Sequence, residues 1–252
     1  MTAFLAALSF LTIVPTRSKV VEQMAPARAY FPLVGLLLGA ALAVLDLGLG
    51  RMFPVSLTSV LLLAALVAAT RGLHLEGFLD CCDALFGGFT PDRRLEILKD
   101  PHAGAFAVIG GGLLLLTTWS ALTALAPPMR TQALILFPCL SRWAMLLSMA
   151  LFPYARKQGL GTAFTMGASS WQVGAGLATA GATSAALAGW AGLALLALAS
   201  TIAWAFGAWA NRLLGGLTGD VYGAINELAA VGVLLAAVAV GSLLATLSSS
   251  PI

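Results

Sequence analysis

Long apolar stretches alternate with short polar ones along this chain, as they do in polytopic membrane proteins. A helix that spans the bilayer needs about 20 mostly apolar residues. The pattern predicts seven such helices, at residues 29–50, 55–70, 105–126, 131–151, 171–188, 191–211 and 226–247. A further apolar segment, residues 1–14, ends at Pro15 and is too short to span, so it predicts an interfacial or re-entrant helix.

The composition supports an all-α membrane protein. Hydrophobic residues make up 60% of the 252 positions and charged residues only 9%, whereas about a quarter of the residues in a soluble domain are charged. The polar stretches are too short for a separate soluble domain, so the sequence predicts one transmembrane catalytic domain over residues 1–252. Gly35 and Gly39 form a small-xxx-small pair, which is expected by chance in a chain with 27 glycines.

The basic residues predict the orientation, because cytoplasmic loops accumulate Lys and Arg. With seven spans and the N-terminus inside, only Arg51 and Arg130 face the outside. The ten bases on the other side are Arg17, Lys19, Arg28, Arg71, Arg93, Arg94, Lys99, Arg156, Lys157 and Arg212. The bases are spread over several loops, which argues against nucleic-acid binding. Three cysteines, two of them adjacent, have neither zinc-site spacing nor a disulfide framework, and are interpreted as free thiols.

One stretch, residues 71–104, contains six of the ten acids and both histidines. Within it Glu76, Asp80 and Asp83 are spaced so that an α-helix carries all three carboxylates on one face. Clustered carboxylates with apolar flanks need a cation, and hard oxygen ligands suit Mg²⁺, with Mn²⁺ as the alternative. A solvated helix face is the competing interpretation. His74 lies on the opposite side of this helix, where a structural hydrogen bond and a part in substrate contact or proton transfer both remain open.

The next polar run predicts a short helix that is capped at Thr90 and stopped by Pro101. Arg93, Arg94 and Lys99 would lie near the carboxylates, and bases beside a metal suit a substrate that carries phosphates. Decoration of a cytoplasmic loop with positive charge is the alternative. Asp100 is a candidate metal ligand or general base.

Two later clusters add candidate residues. Arg142 lies inside an apolar span, where a charge is costly and generally pairs with an anion, and Arg156 follows at the cytoplasmic end as a phosphate contact. Arg212 precedes a glycine-rich turn, after which Asp220 and Glu227 lie seven positions apart on one helix face. Asp220 is either the N-cap of that helix or a further metal ligand.

The chain resembles the adenosylcobalamin synthase family, the adenosylcobinamide-GDP ribazoletransferases of corrinoid-making prokaryotes. The motifs that carry the resemblance are RGLHLEGFLDCCDALFGG, RRLEILKDPHAGAF, SRWAM with PYARKQGLG, and GGLTGDVYGAINE. The likeness extends from FLTIVPTRS to Glu227. Two features depart from the family pattern: Glu76 stands where Asp is more common, and Cys81-Cys82 replaces small or polar residues.

The resemblance implies a Mg²⁺-dependent phosphoryl transfer. Adenosylcobinamide-GDP would react with α-ribazole, or with its 5′-phosphate, to give adenosylcobalamin or its 5′-phosphate and GMP. By resemblance, Glu76, Asp80 and Asp83 fall in the acidic motif of the family, and Lys99 and Asp100 in its Lys-Asp motif. Together with the residues selected above, we expect the metal ligands to be Glu76, Asp80, Asp83 and Asp220. The expected phosphate contacts are Arg94, Arg142, Arg156 and Arg212, and the expected catalytic residues are Asp100, His74 and Lys99. The expected location is the prokaryotic plasma (inner) membrane, with the site facing the cytoplasm. A second copy of the chain and other corrinoid-pathway enzymes are expected partners.

Two other functions are weighed against this one. A CDP-alcohol phosphotransferase also displaces a nucleoside monophosphate with acids and Mg²⁺, but here Ala84 takes the position of a required Gly, and no Ala-Arg pair follows. A transporter of corrinoids or other small molecules would place polar residues near the bilayer midplane. The charges of this chain lie mainly at one membrane face, with Arg142 and Glu227 as the main exceptions.

Overall fold

The computed structural model describes residues 2–16, 24–155 and 169–249, and these residues form helices joined by turns. The helices are α1 (Thr2–Leu11), α2 (Met24–Ala27, followed by the 3-10 turn Arg28–Tyr30), α3 (Phe31–Leu49), α4 (Val55–Thr70), α5 (Leu73–Gly87), α6 (Pro91–Ile97), α7 (Ala105–Ala124), α8 (Met129–Leu151), α9 (Ser170–Leu214) and α10 (Gly219–Ser249). The predicted all-α class is therefore confirmed. The predicted phosphate contact Arg156 lies outside the described residues.

Within the described residues, five helices are long and apolar enough to cross a membrane, and α4 with α5 forms a sixth candidate that is bent by 93°. Helix α9 has 45 residues, which would extend about 68 Å and exceed any bilayer. It breaks at Gly189, where φ is 53° and ψ is −131°. A Cβ on Gly192 would lie 2.0 Å from the carbonyl oxygen of Ser184, so the two arms of α9 fold back on each other.

The arms of α9 correspond to the predicted segments 171–188 and 191–211. If the two arms of α9 are counted as separate crossings, the described residues provide one crossing more than the five or six helices given above. The predicted number of seven is therefore approximate. Helix α1 is short and apolar, as predicted for the N-terminal segment. The Ile13 amide donates to the Ala69 carbonyl at 2.8 Å, and the Arg71 side chain donates to the carbonyl of Ser9. These bonds attach the N-terminal segment to the end of α4.

Close backbone contact joins α3 to α8 at the centre of the bundle. A Cβ on Gly35 would lie 2.2 Å from the Pro138 carbonyl oxygen, and one on Gly39 would lie 2.6 Å from the Ile135 carbonyl oxygen. The interpretation of this glycine pair as a chance occurrence was wrong. The two helices run antiparallel, so the start of α3 and the end of α8 lie at the same end of the bundle.

A buried ion pair holds the opposite end together. Both carboxylate oxygens of Asp46 accept from Arg130, with Nη2 at 2.7 Å from Oδ1. Ser59 and the Leu122 carbonyl accept from the same guanidinium. The Arg130 side chain is 5% exposed and that of Asp46 13%. Arg130 is therefore a structural residue that connects α3, α4, α7 and α8, and not the loop base that the sequence indicated.

Removing one partner of this pair should destabilise the bundle. Arg130→Met leaves the Asp46 carboxylate without a counter-charge, which costs about 3 kcal/mol for a buried pair, whereas the double variant with Asp46→Asn should lose less than the sum of the single changes. Thermal unfolding in detergent measures this. The matched control is Arg51→Met, which removes an exposed arginine at the same end. Equal stability of wild type and Arg130→Met would contradict the assignment.

Candidate active site

Helix α5 carries the acidic face, and a sharp turn sets its direction. Arg71 and Gly72 have φ angles of 56° and 65°, a left-handed conformation that costs a residue with a Cβ more than glycine. At this turn the axis of α5 bends by 93° relative to that of α4. On α5, Glu76 is exposed, Asp80 is partly exposed and His74 is buried. The predicted opposition of His74 and the carboxylates is present in the structure.

The start of α10 lies directly against α5. A Cβ on Gly77 would lie 2.7 Å from the Asp220 carbonyl oxygen, and one on Gly223 would lie 2.9 Å from the His74 carbonyl oxygen. The two backbones therefore touch, with the Asp220 backbone against α5 at Gly77. Thr218 accepts from the Val221 amide and is the N-cap of α10. Asp220 is not the cap; its carboxylate accepts instead from the Thr218 hydroxyl.

Asp83 joins α5 to the start of α7. Its two oxygens accept from the backbone amides of Gly104, at 2.6 Å, and Ala107, at 2.9 Å. A carboxylate at this position satisfies free amides and interacts favourably with the positive end of the helix dipole. A Cβ on Gly104 would lie 2.7 Å from Asp83 Oδ1, so the contact depends on glycine. The sequence did not reveal this capping role.

The predicted metal ligands share one region but form no closed cage. Within the described part of the chain, no three His, Cys, Asp or Glu side chains converge in a group that could hold a metal. Asp220 approaches α5 through its backbone, at Gly77. The predicted ligand set stays a prediction, and any site here would use few protein ligands.

The basic side chains predicted to contact phosphate near the acidic helix differ in their exposure to solvent. Arg94 on α6 donates weakly to the Leu213 carbonyl at 3.5 Å, and its buried Nε has no partner. Lys99 and Arg212 are exposed. The contact of Arg94 with Leu213 places α6 against the end of α9, next to the end of α5. Arg94 and Arg212 therefore lie at the same end of the bundle as the acidic face.

Asp100 is accessible and hydrogen-bonded to His102. It accepts from the His102 amide at 3.0 Å and from Nδ1 at 2.7 Å, and the two side chains are 56% and 88% exposed. The hydrogen bond from the His102 amide, followed by that from its side chain, lowers the pKa of Asp100. The carboxylate is therefore ionised at neutral pH and available at the surface.

His74 and Arg142 meet below the surface. His74 Nδ1 lies 3.4 Å from Arg142 Nη2, and Arg142 also donates to Ser141. Because a guanidinium only donates, Nδ1 accepts and the hydrogen of neutral His74 sits on Nε2, which is buried without a partner. This geometry agrees with the structural alternative for His74. Arg142 is 2% exposed and does not reach the surface as a phosphate contact would.

Several polar residues that the sequence analysis did not select are buried near this region. Arg28, 2% exposed, donates to Gln172 at 2.7 Å and lies close enough to Tyr222 to interact with it electrostatically. Asn226 is 1% exposed and donates to Glu227 at 3.1 Å. Arg28 was counted as a loop base; its position next to the apolar run that begins α3 is the signal that could have revealed it.

Comparison with known proteins identifies the family. The family model for cobalamin-5-phosphate synthase matches residues 3–238. The chain belongs to this family. Similar proteins include adenosylcobinamide-GDP ribazoletransferases of Desulfitobacterium hafniense (strain Y51), 40% identical over 92% of this chain and 94% of the relative, and of Syntrophobacter fumaroxidans, 37% identical over 93% and 97%. The relative from Pseudomonas fluorescens is 39% identical over 93% and 98%. No solved structure matches the chain.

Membership in the cobalamin-5-phosphate synthase family confirms the resemblance seen in the motifs. It also confirms the predicted transferase of cobalamin biosynthesis. The transporter and the CDP-alcohol phosphotransferase are not supported by this result.

The contact between α5 and α10 gives a direct test of the site. Gly77→Ala adds a methyl group that clashes with the Asp220 backbone, so we expect the free energy of unfolding to fall by about 1–3 kcal/mol. Turnover should also fall, because the two helices must separate. The matched control is Gly112→Ala on α7, where an added Cβ has no neighbour within 4 Å. Thermal unfolding and product formation measure both effects. Equal behaviour of the two variants would contradict the close contact.

Proposed function

We propose that this protein joins adenosylcobinamide-GDP to α-ribazole, or to its 5′-phosphate, in a Mg²⁺-dependent transfer that releases GMP. The product is adenosylcobalamin or its 5′-phosphate, formed at the cytoplasmic face of the prokaryotic plasma membrane. The relatives that bear the name adenosylcobinamide-GDP ribazoletransferase support the substrates. The observation that carries the site is the contact of the acidic helix α5 with Asp220 at Gly77. Association with a second copy and with other corrinoid-pathway enzymes is part of the same proposal.

The donor set fits Mg²⁺, with Mn²⁺ as the alternative. Mg²⁺ commonly takes one or two carboxylates together with substrate phosphates and retains water ligands. Asp80, Asp220 and the exposed Glu76 supply such carboxylates beside one helix crossing, so a closed protein cage is not required. Asp83 would contribute less directly to metal binding, because both its carboxylate oxygens accept hydrogen bonds from backbone amides at the start of α7. When bound, the ion would neutralise charge on the diphosphate and on the departing GMP.

The basic residues would hold the diphosphate from the surface. Lys99 and Arg212 are exposed, and Arg94 lies at the junction of α6 and α9. Cations placed before the reaction stabilise the charge that develops on the leaving phosphate without having to reorganise. Arg142 would act from beneath the site through its hydrogen bond to His74 rather than by contact with the substrate. Arg156 remains a predicted phosphate contact outside the described residues.

The attacking hydroxyl must lose a proton as its oxygen bonds to phosphorus and the bond to GMP breaks. Asp100 is the accessible acceptor, since it is exposed and ionised and lies next to Lys99 in the chain. A carboxylate with a lowered pKa is a weak base, and the hydrogen-bonded His102 offers a route by which the proton leaves. His74 is a less direct acceptor, because both its nitrogens are enclosed.

Asp80→Asn tests the metal site. We expect turnover to fall by at least about 100-fold because a charged contact to the reacting phosphates is lost, while folding is retained. The assay uses purified protein in lipid nanodiscs with both substrates, with and without Mg²⁺, and measures GMP and the joined corrinoid. Glu96→Gln, which changes an exposed carboxylate paired with Arg93, should keep full activity.

Two results of this assay would contradict the proposal. One is product formation by wild type after chelation of divalent metal. The other is unchanged turnover of Asp80→Asn. In a parallel experiment with vesicles, accumulation of labelled corrinoid without ribazole would favour transport over synthesis.

Asp83→Asn separates helix capping from metal binding. The amide retains one acceptor but presents an NH₂ group to the second backbone amide of α7, so we expect a loss of about 1 kcal/mol in the free energy of unfolding. Asp80→Asn should leave that free energy nearly unchanged. Thermal unfolding of both variants without substrate measures the difference. If Asp83→Asn were as stable as wild type, the two amide bonds would not stabilise the fold.

A further inference from the structure

Six buried side-chain polar atoms of the described residues have no hydrogen-bond partner, and three of them lie on the neighbouring helices α5, α8 and α10. These three are His74 Nε2 on α5, Arg142 Nε on α8 and Asn226 Oδ1 on α10. These residues are 3%, 2% and 1% exposed. Buried polar groups are nearly always paired with protein or with ordered water, so unpaired atoms in one region point to bound water.

A small cavity reaches two of these residues. Arg142, Asn226 and Glu227 supply its polar wall, and its remaining lining is largely apolar, with Phe137 and Leu114 among the neighbours. The cavity volume is about 30 Å³, which is room for about two water molecules. A dry cavity of this kind would have apolar walls throughout. This one offers a donor, an acceptor and a carboxylate.

Arg142 and Glu227 both line this cavity. The two groups interact electrostatically, yet they form no direct salt bridge among the described ion pairs. Glu227 accepts from the Asn226 amide at 3.1 Å, which orients its carboxylate. Because Arg142, Asn226 and Glu227 all line one cavity, water inside it can hydrogen-bond to all three and bridge the two charges.

We propose that this cavity is a hydration site in which one or two waters bridge Arg142 to Asn226 and Glu227, and that Glu227 is a positioning residue that holds Arg142 beneath the acidic helix. Arg142 donates to His74, and the His74 turn is where Gly223 packs. A shift of the Arg142 guanidinium would therefore move His74, and with it the turn of α5 that carries Glu76. Only the effect on turnover rests on the proposed function; the hydration site belongs to the fold.

A thermal double-variant cycle tests the pairing without any substrate. The variants are Glu227→Gln, Arg142→Met and the two combined. Each single change leaves one buried charge without its partner and should lower the Tm by roughly 10 °C, whereas the double variant should lose no more than the worse single one. Additive losses would mean that the two charges are not coupled and would overturn the proposal.

Glu227→Asp tests the water. It keeps the charge and shortens the side chain by one methylene, and a hydrated cavity can admit further water into the space that is freed. We expect a Tm within a few degrees of wild type and turnover close to it. If Glu227→Asp loses as much stability as Glu227→Gln, the carboxylate packs dry and the hydration site is wrong.

Hydrogen exchange and kinetics test the positioning role. In Glu227→Gln the backbone amides of α5 should exchange hydrogen faster, while those of α3 stay unchanged. The kcat should fall roughly tenfold or more because the site is misplaced, and KM should change less than about twofold. Glu96→Gln is the matched control. Unchanged exchange in α5 would refute positioning by Glu227. An inactive wild type with the exchange effect present would refute the proposed function and leave this inference standing.

Discussion

The candidate active site depends on the contact of two helix backbones at Gly77 and Gly223. The axis of α5 is bent by 93° relative to that of α4, so α5 does not continue α4. Its acidic segment is held in place by packing against the helices that it crosses. Repulsion between carboxylates on one face destabilises a helix, so α5 needs packing against its neighbours to offset this repulsion. Because glycine lets the chains approach to within backbone contact, α5 stays in place and Asp220 is brought beside it.

Helix ends, rather than long spans, supply the chemistry of this site. Asp83 caps the start of α7, Thr218 caps the start of α10, and Arg94 contacts the end of α9. Each bond satisfies a backbone group that a helix terminus leaves free. The same interactions that make the termini stable therefore gather acids and bases at one end of the bundle.

Residue periodicity was sufficient to predict the all-α class and the acidic face of α5, because both depend on local spacing. It missed features that depend on contacts distant in the chain. The burial of Arg130 requires Asp46, and the packing of Gly35 requires Pro138. The left-handed Arg71 has no sequence signal of its own. Local sequence also could not distinguish Asp220 from Thr218 as the N-cap of α10, since a Thr and an Asp two residues apart are both good caps.

The charges of the described chain divide into two groups with different physical demands. Exposed groups such as Glu76 and Lys99 remain hydrated and can exchange partners with a substrate, so little stability depends on them. Arg142 is enclosed, and its charge must be balanced within the protein or the fold would lose stability. In the proposed arrangement Glu227 balances that charge, so the role of Arg142 is to hold His74 on α5 through its hydrogen bond rather than to attract the substrate. Under the proposed function, a polar substrate reacts at the membrane surface without entering the bilayer, because the acids are concentrated on α5, which bends away from α4 by 93°.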